Sequence, residues 1–118
     1  MAKKSYNIFL DNTIIGTTEL EKGDAPMGCV LGQIKFNDTK FGFDFLKEYC
    51  LKNKIEFDSY EDEQIISTRD IPSLKVVDAN NKEIKGLSCY IDGMNSDAFY
   101  INLEGIPYPF YEEEFSRP

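Results

Sequence analysis

The sequence predicts an α+β fold, in which a mostly antiparallel sheet built from hairpins packs with one main helix at about residues 40–54. Pairs of β-prone runs lie on either side of short segments rich in Asp, Asn and Gly, which is the pattern of hairpins. A single segment has apolar residues at helical spacing. The 118 residues contain no repeat and no linker, so we expect residues 1–118 to form one acidic α+β domain.

Three hairpins are predicted along the chain. Each joins two runs that are rich in β-branched and aromatic residues through a short polar turn. Gly16 is expected to mark a bulge in the second strand of the first hairpin. The paired runs are residues 6–10 with 14–20, residues 74–78 with 83–85, and residues 87–92 with 98–103.

The segments between these hairpins are predicted from their turn and breaker residues. Residues 29–36 and 64–68 have strand character, whereas residues 21–28 contain Gly, Pro and Asp and are expected to form a loop. Pro107 and Pro109 exclude a central strand near the C-terminus, because proline cannot donate a hydrogen bond to a ladder.

The helix is predicted from one apolar face, which we expect to join the core rather than to form a groove for a partner. Asn37, Asp38 and Thr39 offer side-chain groups for the N-cap. Lys52 and Lys54 suit the negative end of the helix dipole. The face consists of Phe41, Phe45, Leu46, Tyr49 and Cys50.

The charge of the chain restricts its partners. Twenty-one acidic residues stand against 13 basic ones, for a net charge of −8 and a pI of about 4.5. Nucleic acids and anionic membranes are bound through clustered Lys and Arg, so neither is expected as a partner. An acidic surface instead attracts a basic protein and speeds its encounter, although acidity can also serve solubility alone.

The cysteines and the N-terminus indicate a cytoplasmic protein. Cys29, Cys50 and Cys89 are odd in number and widely spaced, which argues against a disulfide scaffold or a zinc site and predicts buried free thiols. The apolar run after Lys3 and Lys4 is too short for a signal peptide, and no apolar stretch is long enough to span a membrane.

Catalysis finds little support in the residue types present. The chain has no histidine to act as a base near neutral pH. Carboxylate pairs are expected by chance among so many acids, and no Ser or Cys lies in a nucleophile motif. No glycine-rich phosphate loop and no calcium-loop spacing occur. We therefore expect neither an enzyme nor a bound cofactor or metal.

Two acidic segments with interleaved aromatic residues are the candidate contact surfaces. Carboxylates bind Lys and Arg, and aromatic rings accept cations and anchor interfaces. For each segment the alternative is structural: a solvated loop after the helix, or a tail whose aromatic rings dock on the core. The candidate partner-binding residues are Glu56, Asp58, Tyr60, Glu61, Asp62, Tyr108, Tyr111, Glu112, Glu113 and Glu114.

Two resemblances accompany these patterns. The stretch GTTELEKGDAPMGCVLG, residues 16–32, resembles a loop pattern in small uncharacterised bacterial proteins and implies no activity. The whole chain is similar in size, acidity and composition to bacterial toxin-immunity proteins, including those of contact-dependent growth inhibition systems. This second resemblance implies a cytoplasmic protein that binds one basic, nuclease-like toxin domain tightly.

Two other functions stay open at this point. A small-molecule or peptide-binding β-rich regulatory domain predicts a deep apolar pocket lined by Phe and Tyr. A structural domain that oligomerises through an edge strand predicts an exposed strand, for example at residues 98–103.

Overall fold

The computed structural model describes residues 5–24, 28–107 and 114. It confirms the predicted fold class, with one helix and two antiparallel sheets of four and six strands among these residues. In chain order the elements are β1 (Tyr6–Leu10), β2 (Thr13–Thr18), β3 (Lys22–Asp24), β4 (Cys29–Gln33), β5 (Lys35–Phe36), α1 (Phe43–Asn53), β6 (Phe57–Tyr60), β7 (Ile65–Thr68), β8 (Leu74–Val77), β9 (Ser88–Met94) and β10 (Phe99–Glu104).

The four-stranded sheet has the order β5-β2-β1-β8. Its first hairpin is confirmed, with Asp11 in the left-handed region at φ 59°. The predicted bulge is also confirmed, since the register shifts where Ile8 pairs with Gly16 and Phe9 pairs with Ile14. A Cβ at Gly16 would lie 3.1 Å from Phe36 Cα, so glycine lets β5 approach this bulge.

The six-stranded sheet has the order β3-β4-β10-β9-β7-β6. The predicted third hairpin forms β9 and β10, and β10 is a central strand that pairs with β4 on its other side. Oligomerisation through an edge at residues 98–103 was therefore a wrong expectation. Alternation of Phe99 and Ile101 with polar residues indicated a strand but not its position in the sheet.

The predicted second hairpin forms only in part. Val77 and Glu83 make an isolated bridge, and Ile84 N–H donates to Val76 O at 2.8 Å, but residues 83–85 are not a strand. β8 pairs along its length with β1 instead. Burial of Val76 and Leu74 in the core accounts for this long-range pairing.

Two strands lie where no strand was predicted. β3 occupies part of the predicted loop 21–28 and pairs with β4, and β6 occupies the acidic segment and pairs with β7. No residue of β3 favours a strand, and Asp58 and Ser59 interrupt the two strand-favouring aromatic residues of β6, so each strand relies on pairing with its neighbour. The predicted strand 29–36 in turn divides at Ile34, because β4 belongs to one sheet and β5 to the other.

The helix is shorter at its start than predicted. Gly42 is the N-cap residue and makes no side-chain cap, so the expectation that Asn37, Asp38 or Thr39 caps the helix was wrong. Asn95 from a distant loop replaces them, because its Oδ1 accepts the Phe43 N–H at 3.0 Å. Lys54, with φ 58°, ends the helix.

The apolar face of α1 joins one hydrophobic core with the buried faces of both sheets, as predicted. Leu46 and Cys50 are buried, Phe45 and Tyr49 are half-buried, and Phe41 is buried just before the helix begins. Full burial of a side chain such as Leu46 contributes about 1.5–3 kcal/mol. The face is therefore part of the folding core.

Candidate functional site: an acidic edge hairpin

The acidic segment forms the edge of the six-stranded sheet. We call β6, the turn 61–64 and β7 the acidic hairpin. Along β6 the side chains alternate, so that Glu56, Asp58 and Tyr60 are exposed while Phe57 and Ser59 are half-buried on the core side. Tyr60 is 63% exposed, which is unusual for so large an aromatic side chain. The structure thus brings Asp58 and Tyr60 together on β6, with Glu56 immediately before this strand.

The turn of the acidic hairpin is positioned by the end of β9. Gln64 has φ 53°, and its N–H donates to Glu61 O at 3.2 Å. Asn95 donates its backbone N–H to Gln64 O at 3.2 Å and its Nδ2 to Gln64 Oε1 at 3.1 Å. Because Asn95 also caps α1, one side chain sets both the start of the helix and the position of the acidic turn.

Two of the carboxylates are paired within the protein. Arg69 Nη2 lies 2.9 Å from Asp58 Oδ2, with both side chains more than half exposed, and Lys47 pairs with Glu61. Exposed pairs of this kind contribute only about 0–1 kcal/mol, so a partner's cation can replace Arg69 at little cost. Within residues 5–24, 28–107 and 114, the other acids of the segment make no ion pair; they are Glu56, Asp62 and Glu63.

Ser67 connects the acidic hairpin to the middle of the sheet. It pairs with Asp58 on one side and with Asp92 on the other, so these two carboxylates share the outer face of the sheet. Asp92 in turn pairs with Tyr100 on β10. Acids that are 34 positions apart in the sequence therefore form one surface, which we call the outer face.

The outer face contains a polar cluster that the sequence analysis missed. Tyr90 donates its hydroxyl hydrogen to Glu104 Oε2 at 2.6 Å, and burial, followed by this hydrogen bond, raises the pKa of Tyr90. Burial likewise raises the pKa of Asp92, while the neighbouring Asn102 side chain opposes that rise. Period-two alternation in residues 87–92 was the available signal, but it does not show which strands are neighbours.

Asn102 is the central residue of this cluster. It lies directly opposite Tyr90, is 9% exposed, and its Nδ2 has no hydrogen-bond partner of good geometry among the described residues. A buried amide without a good hydrogen-bond partner destabilises the fold.

The acidic tail is placed only at one residue. Tyr108, Tyr111, Glu112 and Glu113 lie outside the described residues. Glu114 is half-buried, and its Oε2 accepts the hydroxyl hydrogen of Tyr6 at 2.8 Å. Tyr6 belongs to β1, so this hydrogen bond joins Glu114 to the four-stranded sheet, whereas the acidic hairpin belongs to the six-stranded sheet.

The thiols are distributed differently from expectation. Cys50 and Cys89 are buried, whereas Cys29 is half-buried on the outer side of β4, which corrects the prediction of three buried thiols. Burial raises the pKa of Cys50 to about 11 and that of Cys89 to about 12. Both thiols are protonated at neutral pH and are therefore weak nucleophiles.

A cavity of about 450 Å³ opens beside the start of α1. Phenylalanine rings form its apolar wall, among them Phe36 and Phe99, whose centroids are 5.5 Å apart. Lys40, Asp44 and Asp97 lie among its polar lining residues. The expectation of an apolar pocket lined by Phe and Tyr is met only in part, because no Tyr lines this cavity and about half of its lining residues are polar.

Within residues 5–24, 28–107 and 114, no group of three or more Cys, Asp or Glu side chains is arranged to hold a metal ion. The described part of the chain also contains no helix long and apolar enough to cross a bilayer.

Comparison with known proteins finds no family model, curated protein or solved structure that matches the chain.

Proposed function

We propose that this protein is a non-enzymatic, immunity-type binding protein that neutralises a basic, nuclease-like toxin domain by forming a stoichiometric complex in the cytoplasm. The observation that carries the proposal is the arrangement of Glu56, Asp58 and Tyr60, which are exposed on the same side of an edge strand. Asp92 extends this acidic surface across the sheet.

The chemistry of such a surface suits a nuclease. A nuclease binds phosphate groups through Lys and Arg, and carboxylates at similar spacing compete for those cations. A net charge of −8 steers a basic domain toward the surface before contact. Tyr60 then supplies an exposed aromatic ring that buries area and accepts a cation on its face.

The contacts predicted in the tail remain part of the proposal. Tyr108, Tyr111, Glu112 and Glu113 stay predicted contacts from their residue types alone, and Glu114 would contribute only after leaving the hydroxyl group of Tyr6. Glu61 and Asp62 belong to the turn of the acidic hairpin and would contact the rim of the partner.

The test is co-expression of the tagged protein with the products of its neighbouring genes. We expect one-to-one co-purification with a basic, otherwise toxic domain, together with rescue of growth. A Glu56→Lys/Asp58→Lys variant should lose both, whereas Asp44→Lys/Glu48→Lys, with the same charge change on exposed positions of α1, should retain them. Equal loss in both variants would show that net charge, and not the position of Glu56 and Asp58, causes the loss. Failure of the unmodified protein to relieve any toxicity would contradict the proposal.

The second candidate is a small-molecule or peptide-binding regulatory domain, which is favoured by the cavity beside α1. Phenylalanine rings on its wall could bury the apolar part of a ligand, and the polar residues that make up about half of its lining could orient it. Thermal-shift screening of small aromatic compounds would test it. A compound that raises the melting temperature of the unmodified protein but not that of Ala98→Phe, in which the larger side chain fills the cavity, would support this function over the immunity function.

A further inference from the structure

The edge strands of the two sheets are not equally open. β8 is covered by residues 83 and 84, since Ile84 N–H donates to Val76 O. β5 has two residues and β3 has three. Within the described ranges this leaves β6, with four residues, as the longest edge strand that lacks a neighbour on its outer side.

The backbone groups that β6 directs away from the sheet follow from its register. Arg69 N–H donates to Glu56 O at 2.9 Å, so these residues form a hydrogen-bonded pair. Such pairs alternate with non-hydrogen-bonded pairs in an antiparallel ladder. Phe57 opposite Thr68 and Ser59 opposite Ile66 are therefore the non-hydrogen-bonded pairs. The N–H and C=O groups of Phe57 and Ser59 point away from β7.

The side chains of β6 select against pairing with a second copy. Antiparallel pairing of two β6 strands would place Glu56, Asp58 and their counterparts against one another, and like charges opposite each other destabilise a ladder. Charged edge strands protect sheets from self-association in this way. The same carboxylates favour a strand whose side chains on this face are basic.

We propose that β6 accepts an extended basic segment of the partner as an additional antiparallel strand, paired to the open backbone groups of Phe57 and Ser59. Lys or Arg at every second position of that segment would lie beside Asp58 and Glu56 on the outer face, and a cation near the β6 end would contact Tyr60. Strand addition derives affinity from the backbone and specificity from the alternating side chains. The assignment of the partner as a toxin rests on the proposed function, whereas the strand pairing does not.

The probe is a synthetic peptide of alternating lysine and threonine. Its control is the same peptide with N-methyl groups on alternate residues, which blocks one hydrogen-bonding edge and keeps the charge. We expect binding of the first peptide to slow hydrogen exchange at the Phe57 and Ser59 amides, and the N-methyl peptide to bind roughly tenfold more weakly.

A matched pair of variants tests the same edge from the protein side. Ser59→Pro removes an outward N–H and no ladder bond, so β6 should tolerate it as an edge position. Ser59→Ala removes only the hydroxyl group. We expect Ser59→Pro to lose about tenfold in peptide affinity and Ser59→Ala to lose little. If Ser59→Pro does not fold, the comparison of the two peptides on the unmodified protein still tests whether β6 accepts an additional strand.

The outcomes separate this inference from the proposed function. Equal binding of the two peptides, or unchanged exchange at Phe57 and Ser59, would overturn strand addition. So would a concentration-dependent dimer that slows exchange at these amides without peptide. Growth rescue by Ser59→Pro as good as that by the unmodified protein would overturn the edge contact and leave toxin neutralisation standing. Binding of the peptide as an added strand, together with no rescue of growth in the co-expression test, would support the edge contact and contradict toxin neutralisation.

Discussion

Asp58 and Asp92 flank Ser67 on the outer face of the six-stranded sheet, one on β6 and the other on β9. Neighbouring strands lie about 4.8 Å apart, so the two residues are about 10 Å from each other across β7. Asp58 is exposed and paired with Arg69, whereas Asp92 is half-buried and has a raised pKa. One carboxylate is thus available for recognition and the other carries a desolvation cost.

The Asp92 carboxyl predicts a specific dependence of stability on pH. Because burial raises its pKa in the folded protein, the folded state holds the proton more tightly than the unfolded state does. The stabilisation from the protonated carboxyl is complete below the unfolded-state pKa and is lost as pH rises through the folded-state pKa. Asp92→Asn should therefore be more stable than the unmodified protein at neutral pH.

Urea unfolding at neutral pH and at about pH 3 measures this difference. The advantage of Asp92→Asn should disappear in acid, where Asp92 itself is neutral. Glu48→Gln, at an exposed position in the middle of α1, controls for the loss of one negative charge. Equal gains in both variants would show that net charge, and not burial of Asp92, is responsible.

The sequence predicted the positions of most strands of the outer face along the chain, but not the order in which these strands pair. Apolar and aromatic alternation identified β9 and β10, because their buried residues, such as Ile91 and Ile101, recur at period two. β6 has the sequence FDSY, in which Asp58 and Ser59 separate the two strand-favouring aromatic residues, so its strand state depends on pairing with β7. The proximity of Asp58 and Asp92 depends on strand order, which no local pattern contains.

The residue that caps the helix could not be predicted from the local sequence either. Asn37, Asp38 and Thr39 precede the apolar face and have the right chemistry for a cap, yet the capping oxygen comes from Asn95, 52 positions along the chain from Phe43. A local pattern can indicate that a helix needs a cap but cannot identify a distant residue whose side chain accepts the free N–H.

Asn95→Ala should accordingly destabilise the fold at two places. It removes the acceptor for the Phe43 N–H and the side-chain bond to Gln64 Oε1. Loss of a helix cap costs about 0.5–2 kcal/mol, and chemical unfolding would measure it. Asn12→Ala, at an exposed turn position, should change stability little. A similar cost in both variants would contradict the special role of Asn95.

The buried thiols predict selective labelling. Cys29 is half-buried, whereas Cys50 and Cys89 are buried with raised pKa values of about 11 and 12. A thiol reagent at neutral pH should modify Cys29 first, and the other two only on unfolding, because the thiolate is the reacting species. Mass spectrometry after timed labelling with and without urea measures this order. Rapid labelling of Cys50 in the folded protein would show that the core opens locally around α1.

Tyr60 is the residue whose replacement should most clearly separate binding from folding. Its side chain is 63% exposed, so Tyr60→Ala should leave the unfolding free energy within about 0.5 kcal/mol of the unmodified protein. If Tyr60 anchors a basic partner, the same change should weaken binding by about tenfold or more, while Tyr60→Phe keeps the aromatic face and most of the affinity. Calorimetric titration against the co-purified partner measures the affinity of both variants.

Leu87→Ala provides the control, since Leu87 is 88% exposed and is not part of the acidic hairpin. A loss of affinity in Leu87→Ala as large as that in Tyr60→Ala would place the contact surface elsewhere on the protein.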